Sequence, residues 1–276
     1  SSRFDRKLFE TVPPDVIVRR FPQQARREGE GPVLAEWADA EAAQDAARAA
    51  AILARARAIG DALAHFHSER MLADAVAAIE RADPATRAAL AAAHRGYRDA
   101  RLAVNDYRPS DAEIQFRQAA DSFARLGSPM AELASYYAVQ TAFGQGRRDE
   151  ARRAFTDLLL RVDAERHRAL RAQIEWELAV CANAAGDWGS AARYATDAAQ
   201  RFRSLGEQVF ALQTDGLAAM ALEMIGENDL AWQLRLRTFS GLSAAGQNAL
   251  LATSIHTAAM TLDATGHSAA AASVAD

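Results

Sequence analysis

The sequence predicts an all-α fold, and three observations support that prediction. Alanine, leucine, arginine, glutamate and glutamine, which all favour helices, fill long runs of the 276-residue chain. The glycines (15) and prolines (7) are sparse and gather between these runs, where they would end and begin helices. The alternation of apolar and polar residues that marks a half-buried strand never extends beyond a few residues.

Local signals predict where several helices begin. Asp83-Pro84 is typical of an N-cap followed by the first helical residue. Ser110 to Glu113 matches a capping box, and Gly127-Ser128-Pro129 indicates a helix stop, an N-cap and a first helical residue. Residues 1–32 hold four prolines and a charged glycine tail, which predict an irregular arm and linker. Residues 33–89 are expected to form a divergent helical segment.

The rest of the chain, residues 90–276, shows a regular spacing of glycines. They recur at steps of forty residues, at Gly146, Gly186, Gly226 and Gly266. An alanine follows each of them by five residues, at Ala151, Ala191, Ala231 and Ala271. About half a step away lie Gly127, Gly206, the polar turn from Val162 to His167, and Gly246. Each step is therefore expected to hold two helices closed by turns, because glycine adopts the left-handed conformation that ends helices.

A helix pair cannot bury its apolar stripe alone, so repeated pairs stack on their neighbours into an α-solenoid. The last pair ends in a short apolar segment, "GHSAAAASVAD", which lacks the polar cap that such an array needs. We therefore expect the array to be truncated, as part of a longer protein.

Two stretches, "GRRDEARRAF" from Gly146 and "GDWGSAARYA" from Gly186, resemble the second helix of tetratricopeptide repeats. The pattern departs from that family where Ala195, Arg235 and Ala275 replace its phenylalanine, and the forty-residue step exceeds the usual length of about 34 residues. The resemblance implies a right-handed solenoid of antiparallel helix pairs. Residues 72–155 are also similar to the amino-terminal repeat region of bacterial CHAT-domain proteins, in which the repeats precede a caspase-like cysteine peptidase domain.

The tetratricopeptide register implies a concave groove lined by the first helix of each pair. Its positions lie thirteen, ten, six and three residues before each glycine of the forty-residue series: Leu133, Tyr136, Gln140 and Phe143; Gln173, Trp176, Val180 and Asn183; Gln213, Gly216, Met220 and Glu223; Thr253, His256, Met260 and Asp263. The expected peptide contacts are Tyr136, Gln140, Phe143, Gln173, Trp176, Asn183, Gln213, Met220, Glu223, His256 and Met260. Alternatively, Tyr136, Trp176 and Met220 pack between neighbouring repeats.

Composition excludes several function classes. Lys7 is the only lysine and falls in the expected arm, so the sequence lacks a Walker A loop and a Schiff-base or kinase-type lysine. The net charge of −4 argues against a nucleic-acid partner. Arginines interrupt the most apolar window, Arg48 to Gly60, so no membrane span is expected. The single cysteine, Cys181, fits a reducing cytoplasm.

We therefore expect a non-catalytic module that binds a peptide or partner helix, takes no cofactor and controls an effector domain of the same polypeptide. One alternative is an enzyme or metal-binding domain. His65 and Glu69 would lie one helical turn apart, and Cys181 is the only thiol. A second alternative is the sensor arm of a transcription regulator.

Overall fold

The computed structural model describes residues 11–264 and Gly266, and helices dominate these residues, with no β-strand among them. The α-helices are α1 Pro14–Arg20, α2 Pro22–Glu28, α3 Leu34–Ala42, α4 Ala46–His67, α5 Met71–Arg81, α6 Pro84–Asn105, α7 Pro109–Arg125, α8 Met130–Gly144, α9 Arg148–Arg161, α10 Arg168–Ala184, α11 Trp188–Ser204, α12 Gln208–Met224, α13 Asn228–Ala244 and α14 Asn248–Ala264. A π-helical turn, Gly29–Val33, joins α2 to α3. None of the helices within this part of the chain has the length and apolar character needed to cross a membrane.

The segment from Pro14 onward is helical, where the sequence predicted an irregular arm. Pro14 and Pro22 occupy the first turns of α1 and α2, where a missing backbone N–H removes no helical hydrogen bond. Ile17 and Val18 are buried, which anchors α1. The prolines therefore start helices here instead of preventing them. Residues 1–10 of the predicted arm lie outside the described residues.

The helix starts agree with the sequence signals to different degrees. The carboxylate of Asp83 accepts a hydrogen bond from Thr86 N at 2.8 Å, so its predicted N-cap is confirmed. The predicted capping box does not form, because α7 begins at Pro109 and Ser110 lies inside the helix. Ser128 lies one position before the N-cap of α8, which is Pro129.

The turns between helices contain the glycines of both series. Their φ angles are positive at Gly127 (67°), Gly146 (86°), Gly186 (74°), Gly206 (71°), Gly226 (87°), Gly246 (67°) and Gly266 (83°). The predicted left-handed helix ends are thus confirmed. The alanines five residues after the forty-step glycines are fully buried at Ala151, Ala191 and Ala231, whereas Ala271 lies outside the described residues.

The described residues divide into two compact units, one ending at Arg171 and the other beginning at Ala172, and consecutive helices pack on one another within each unit. This division differs from the one predicted at residue 90. In the first unit, Trp37 of α3 contacts the ring of His94 in α6, with 5.8 Å between ring centroids. His94 in turn contacts Phe123 of α7 at 4.7 Å. The segment predicted to be divergent therefore shares a core with the helices that follow residue 90.

Candidate functional site

In the unit that begins at Ala172, helices α10, α12, α13 and α14 surround a cavity of about 240 Å³, here called the anchor pocket. Its lining comprises Trp176, Gln213, Gly216, Leu217, Met220, Arg235, Thr238, Phe239, Leu250, Thr253, Ser254 and Thr257. Three of the expected peptide contacts, Trp176, Gln213 and Met220, meet in this pocket, together with Gly216 and Thr253 of the same register. The structure therefore brings together residues from three of the four predicted sets.

Aromatic contacts hold Trp176 in place at one wall of the anchor pocket. Its indole meets Phe202 of α11 edge-to-face, with 6.0 Å between ring centroids. It meets Phe210 of α12 in the same manner at 5.3 Å. Such edge-to-face pairs favour one orientation of the ring. The indole is thus a preorganised wall and remains only half-buried.

Gly216 also lines the anchor pocket, and as a glycine it projects no side chain from α12. A Cβ atom built at this position would meet only the Thr238 methyl group, Cγ2, at 4.0 Å, which is an ordinary contact distance. The first carbon of a side chain at Gly216 would therefore meet no backbone atom of a neighbouring helix.

The α14 wall presents hydrogen-bond acceptors. Thr253 Oγ1 donates to the carbonyl oxygen of Ala249 at 3.0 Å, and Thr257 Oγ1 donates to that of Thr253 at 2.9 Å. A hydroxyl that has given its hydrogen to the backbone keeps its oxygen lone pairs as acceptors. Gln213 adds an amide group across the pocket. The polar groups therefore suit a ligand that carries N–H donors.

Arg235 is a pocket residue that the groove register did not identify. Its Nε donates to Glu223 Oε1 at 2.7 Å, and its Nη2 donates to Glu223 Oε2. Only 2% of the Arg235 side chain and 4% of the Glu223 side chain are exposed. Glu223 therefore balances the charge that Arg235 brings to the pocket lining. The available signal in the sequence was the replacement of the repeat phenylalanine by Arg235.

The remaining expected contacts lie in varied surroundings. Tyr136 is 4% exposed and packs against Phe155, with 5.8 Å between ring centroids. Its hydroxyl accepts a hydrogen bond from Gln140 Nε2 at 3.2 Å. The other side chains are buried at Gln173, half-buried at Phe143 and Asn183, and exposed at His256 and Met260. Tyr136, Gln140 and Phe143 belong to the unit that ends at Arg171, and the anchor pocket to the other unit.

Glu69 has a role in helix capping that differs from metal binding. Its carboxylate is buried, with Oε1 accepting from Met71 N at 2.9 Å and Oε2 accepting from Ala169 N at 2.6 Å. Burial raises the pKa of this carboxyl above its ordinary value, while the two backbone hydrogen bonds oppose that rise. His65 is exposed and Cys181 is buried. Among the described residues, no three His, Cys, Asp or Glu side chains cluster as metal ligands.

Comparison of the chain with protein-family models, with curated protein sequences and with solved structures finds no match. The consecutive packing of the helices is compatible with a helical repeat. The resemblances to tetratricopeptide repeats and to CHAT-domain proteins stay predictions from the sequence.

Proposed function

We propose that this chain is a non-catalytic protein-interaction module, a right-handed tetratricopeptide-like α-solenoid that captures a peptide side chain in the anchor pocket. The meeting of Trp176, Gln213 and Met220 around one cavity carries the proposal. Trp176 belongs to one forty-residue step of the sequence, and Gln213 and Met220 belong to the next, so their convergence reflects the packing of neighbouring helix pairs.

The size and chemistry of the anchor pocket favour a peptide. Its volume of about 240 Å³ lies below the range of roughly 300–1,000 Å³ that is usual for small-molecule sites, and suits one apolar side chain. Trp176, Met220 and Phe239 would contact that side chain, because aromatic and methionine groups give adaptable apolar surfaces. The threonine hydroxyls of α14 and the Gln213 amide would accept hydrogen bonds from peptide N–H groups.

Within the full polypeptide, peptide capture would control an attached effector domain, and we propose a CHAT-type cysteine peptidase domain outside this chain. The module would act in the cytoplasm without nucleic acid or cofactor. A bound peptide can change the activity of the effector domain only if the active and inactive states of that domain bind the repeats differently.

A displayed random-peptide library selected on the purified chain tests the proposal. We expect enrichment of peptides that share one large apolar residue. Gly216→Leu, which fills the anchor pocket, should weaken binding of a selected peptide at least about tenfold. Gly189→Leu is the matched control, because Gly189 lies on α11 with no atom within 4 Å of a built Cβ. It should bind like the unmodified chain.

Two results would overturn the proposal. The first is a selection that enriches no common apolar residue. The second is equal binding by the Gly216→Leu and Gly189→Leu variants when both show the helical circular dichroism of the parent.

A further inference from the structure

The unit that ends at Arg171 contains a second cavity, of about 560 Å³, here called the arginine cavity. Helices α6, α7 and α8 supply most of its lining, and Arg27 of α2 also contributes to it. Phe116, Tyr137 and Val104 line the apolar part. The volume falls within the range usual for small-molecule sites, roughly 300–1,000 Å³. This cavity therefore differs from the anchor pocket in both size and lining.

The guanidinium of Arg101 is fixed in the wall of the arginine cavity. It lies over the ring of Tyr137, with 5.0 Å from Cζ to the ring centroid. The Arg101 side chain is half-buried in this position. Burial raises the pKa of the Tyr97 phenol well above its ordinary value, so that phenol stays neutral. The ring of Tyr137 thus holds the Arg101 guanidinium in place by a cation–π contact.

The acidic groups near this cavity are engaged with other arginines. Asp106 and Asp111 pair with Arg108 at 3.2 and 3.1 Å. Glu113 pairs with Arg117 at 2.7 Å and also with Arg147. The described lining of the cavity includes both Arg101 and Arg27 and no acidic side chain. The cavity lining therefore carries two cationic side chains, and a guanidinium presents paired N–H donors that match a carboxylate.

The conformation and exposure of Tyr107 also indicate a ligand site at the arginine cavity. It occupies the turn between α6 and α7 with a φ of 58°, in the left-handed region that later turns fill with glycine. Its side chain is 93% exposed and lines the arginine cavity, so core packing does not explain the residue. Strained backbone positions and exposed aromatic side chains both occur at ligand sites.

We propose that the arginine cavity binds a small molecule with a carboxylate on an aromatic body. The carboxylate accepts hydrogen bonds from Arg101, and Asn105 and Arg27 lie at the polar edge. The aromatic body packs against Val104 and Tyr137, and the exposed side chain of Tyr107 contacts it from the turn between α6 and α7. This site is separate from the anchor pocket. Failure of peptide binding would leave this proposal unaffected, and failure of carboxylate binding would leave the peptide proposal unaffected.

Isothermal titration calorimetry with 3-phenylpropionate tests the site on the whole chain. We expect saturable binding of one molecule, and binding of 3-phenylpropionamide, which lacks the charge, at least about tenfold weaker. Arg101→Gln should weaken carboxylate binding by a similar factor. Arg153→Gln, a change of an exposed arginine on α9, should leave it unchanged.

Tyr107→Gly separates a ligand contact from a structural role. Glycine relieves the left-handed turn, so the melting temperature should be retained or raised, while binding of 3-phenylpropionate weakens several-fold. The proposal is overturned if the carboxylate does not bind saturably, or if the amide binds as well as the carboxylate. It is also overturned if the folded Arg101→Gln and Tyr107→Gly variants bind like the parent.

Discussion

Arg235 and Glu223 form a doubly hydrogen-bonded ion pair between α13 and α12, with both side chains buried. Taking two charges out of water is costly, and their mutual attraction offsets that cost only while both partners are present. Loss of either partner alone would therefore leave an unpaired charge buried between α12 and α13. It also borders the anchor pocket, since Arg235 forms part of the lining.

Removing one partner should destabilise this unit strongly. Glu223→Ala leaves the Arg235 guanidinium buried and unpaired, which costs about 3–5 kcal/mol of unfolding free energy. Asp197→Ala, at an exposed position of α11, is the control and should cost less than about 0.5 kcal/mol. Urea unfolding followed by circular dichroism measures both. A similar small loss in the two variants would show that the pair is not essential.

Replacing both partners should recover most of that loss. In Glu223→Leu combined with Arg235→Met, apolar side chains take the place of two buried charges, and such exchanges are often neutral or stabilising. We expect the double variant to lie within about 2 kcal/mol of the parent. A double variant as unstable as Glu223→Ala would mean that the arginine stem fills space that methionine does not.

Glu69 is expected to stabilise two helix starts at once. Its two carboxylate oxygens accept backbone hydrogen bonds from Met71 and Ala169, near the first residues of α5 and α10. Glu69→Ala leaves both buried N–H groups unsatisfied, at a cost of about 1–3 kcal/mol each. Glu69→Gln keeps one acceptor oxygen and should lose about half as much. Chemical denaturation measures the unfolding free energy of both variants. An equal loss of stability in Glu69→Ala and Glu69→Gln would contradict the prediction.

Some of these features could be predicted from the sequence, and others could not. The glycine spacing located the left-handed turns because only glycine adopts that conformation without strain. The resemblance to tetratricopeptide repeats implied that Trp176, Gln213 and Met220 share a surface. The pairing of Glu223 with Arg235 depends on the rotation of α12 against α13, which residue spacing does not specify. The start of α1 at Pro14 was missed because proline both ends and begins helices.

Two helical glycines should respond in opposite directions to the same substitution. At Gly60 of α4, an added Cβ would lie 2.8 Å from the backbone nitrogen of Ala73, so Gly60→Ala should cost about 1–3 kcal/mol. At Gly96 of α6, no atom lies within 4 Å of a built Cβ, and Gly96→Ala should stabilise by about 0.5–1 kcal/mol. Thermal unfolding of both variants checks the signs. If Gly96→Ala is less stable than the parent, the site does not have room for the added methyl group.

His94 should make the unit that ends at Arg171 sensitive to acid. The imidazole is fully buried between Trp37 and Phe123, and its Nε2 has no hydrogen-bond partner among the described residues. Burial lowers the pKa of His94 from 6.5 to about 3, because the charged form cannot be solvated there. Between these values the unfolded chain binds a proton that the folded chain does not, so stability falls as the pH decreases.

The expected loss is about 1.4 kcal/mol per pH unit below 6.5, or about 3 kcal/mol at pH 4.5. His94→Leu should remove this part of the pH dependence, whereas His65→Leu, at an exposed histidine, should retain it. Urea unfolding of the three proteins at pH 7 and at pH 4.5 separates His94 from the carboxylates, which are common to all of them. If the parent and His94→Leu lose the same unfolding free energy between pH 7 and pH 4.5, the buried imidazole does not cause the sensitivity to acid.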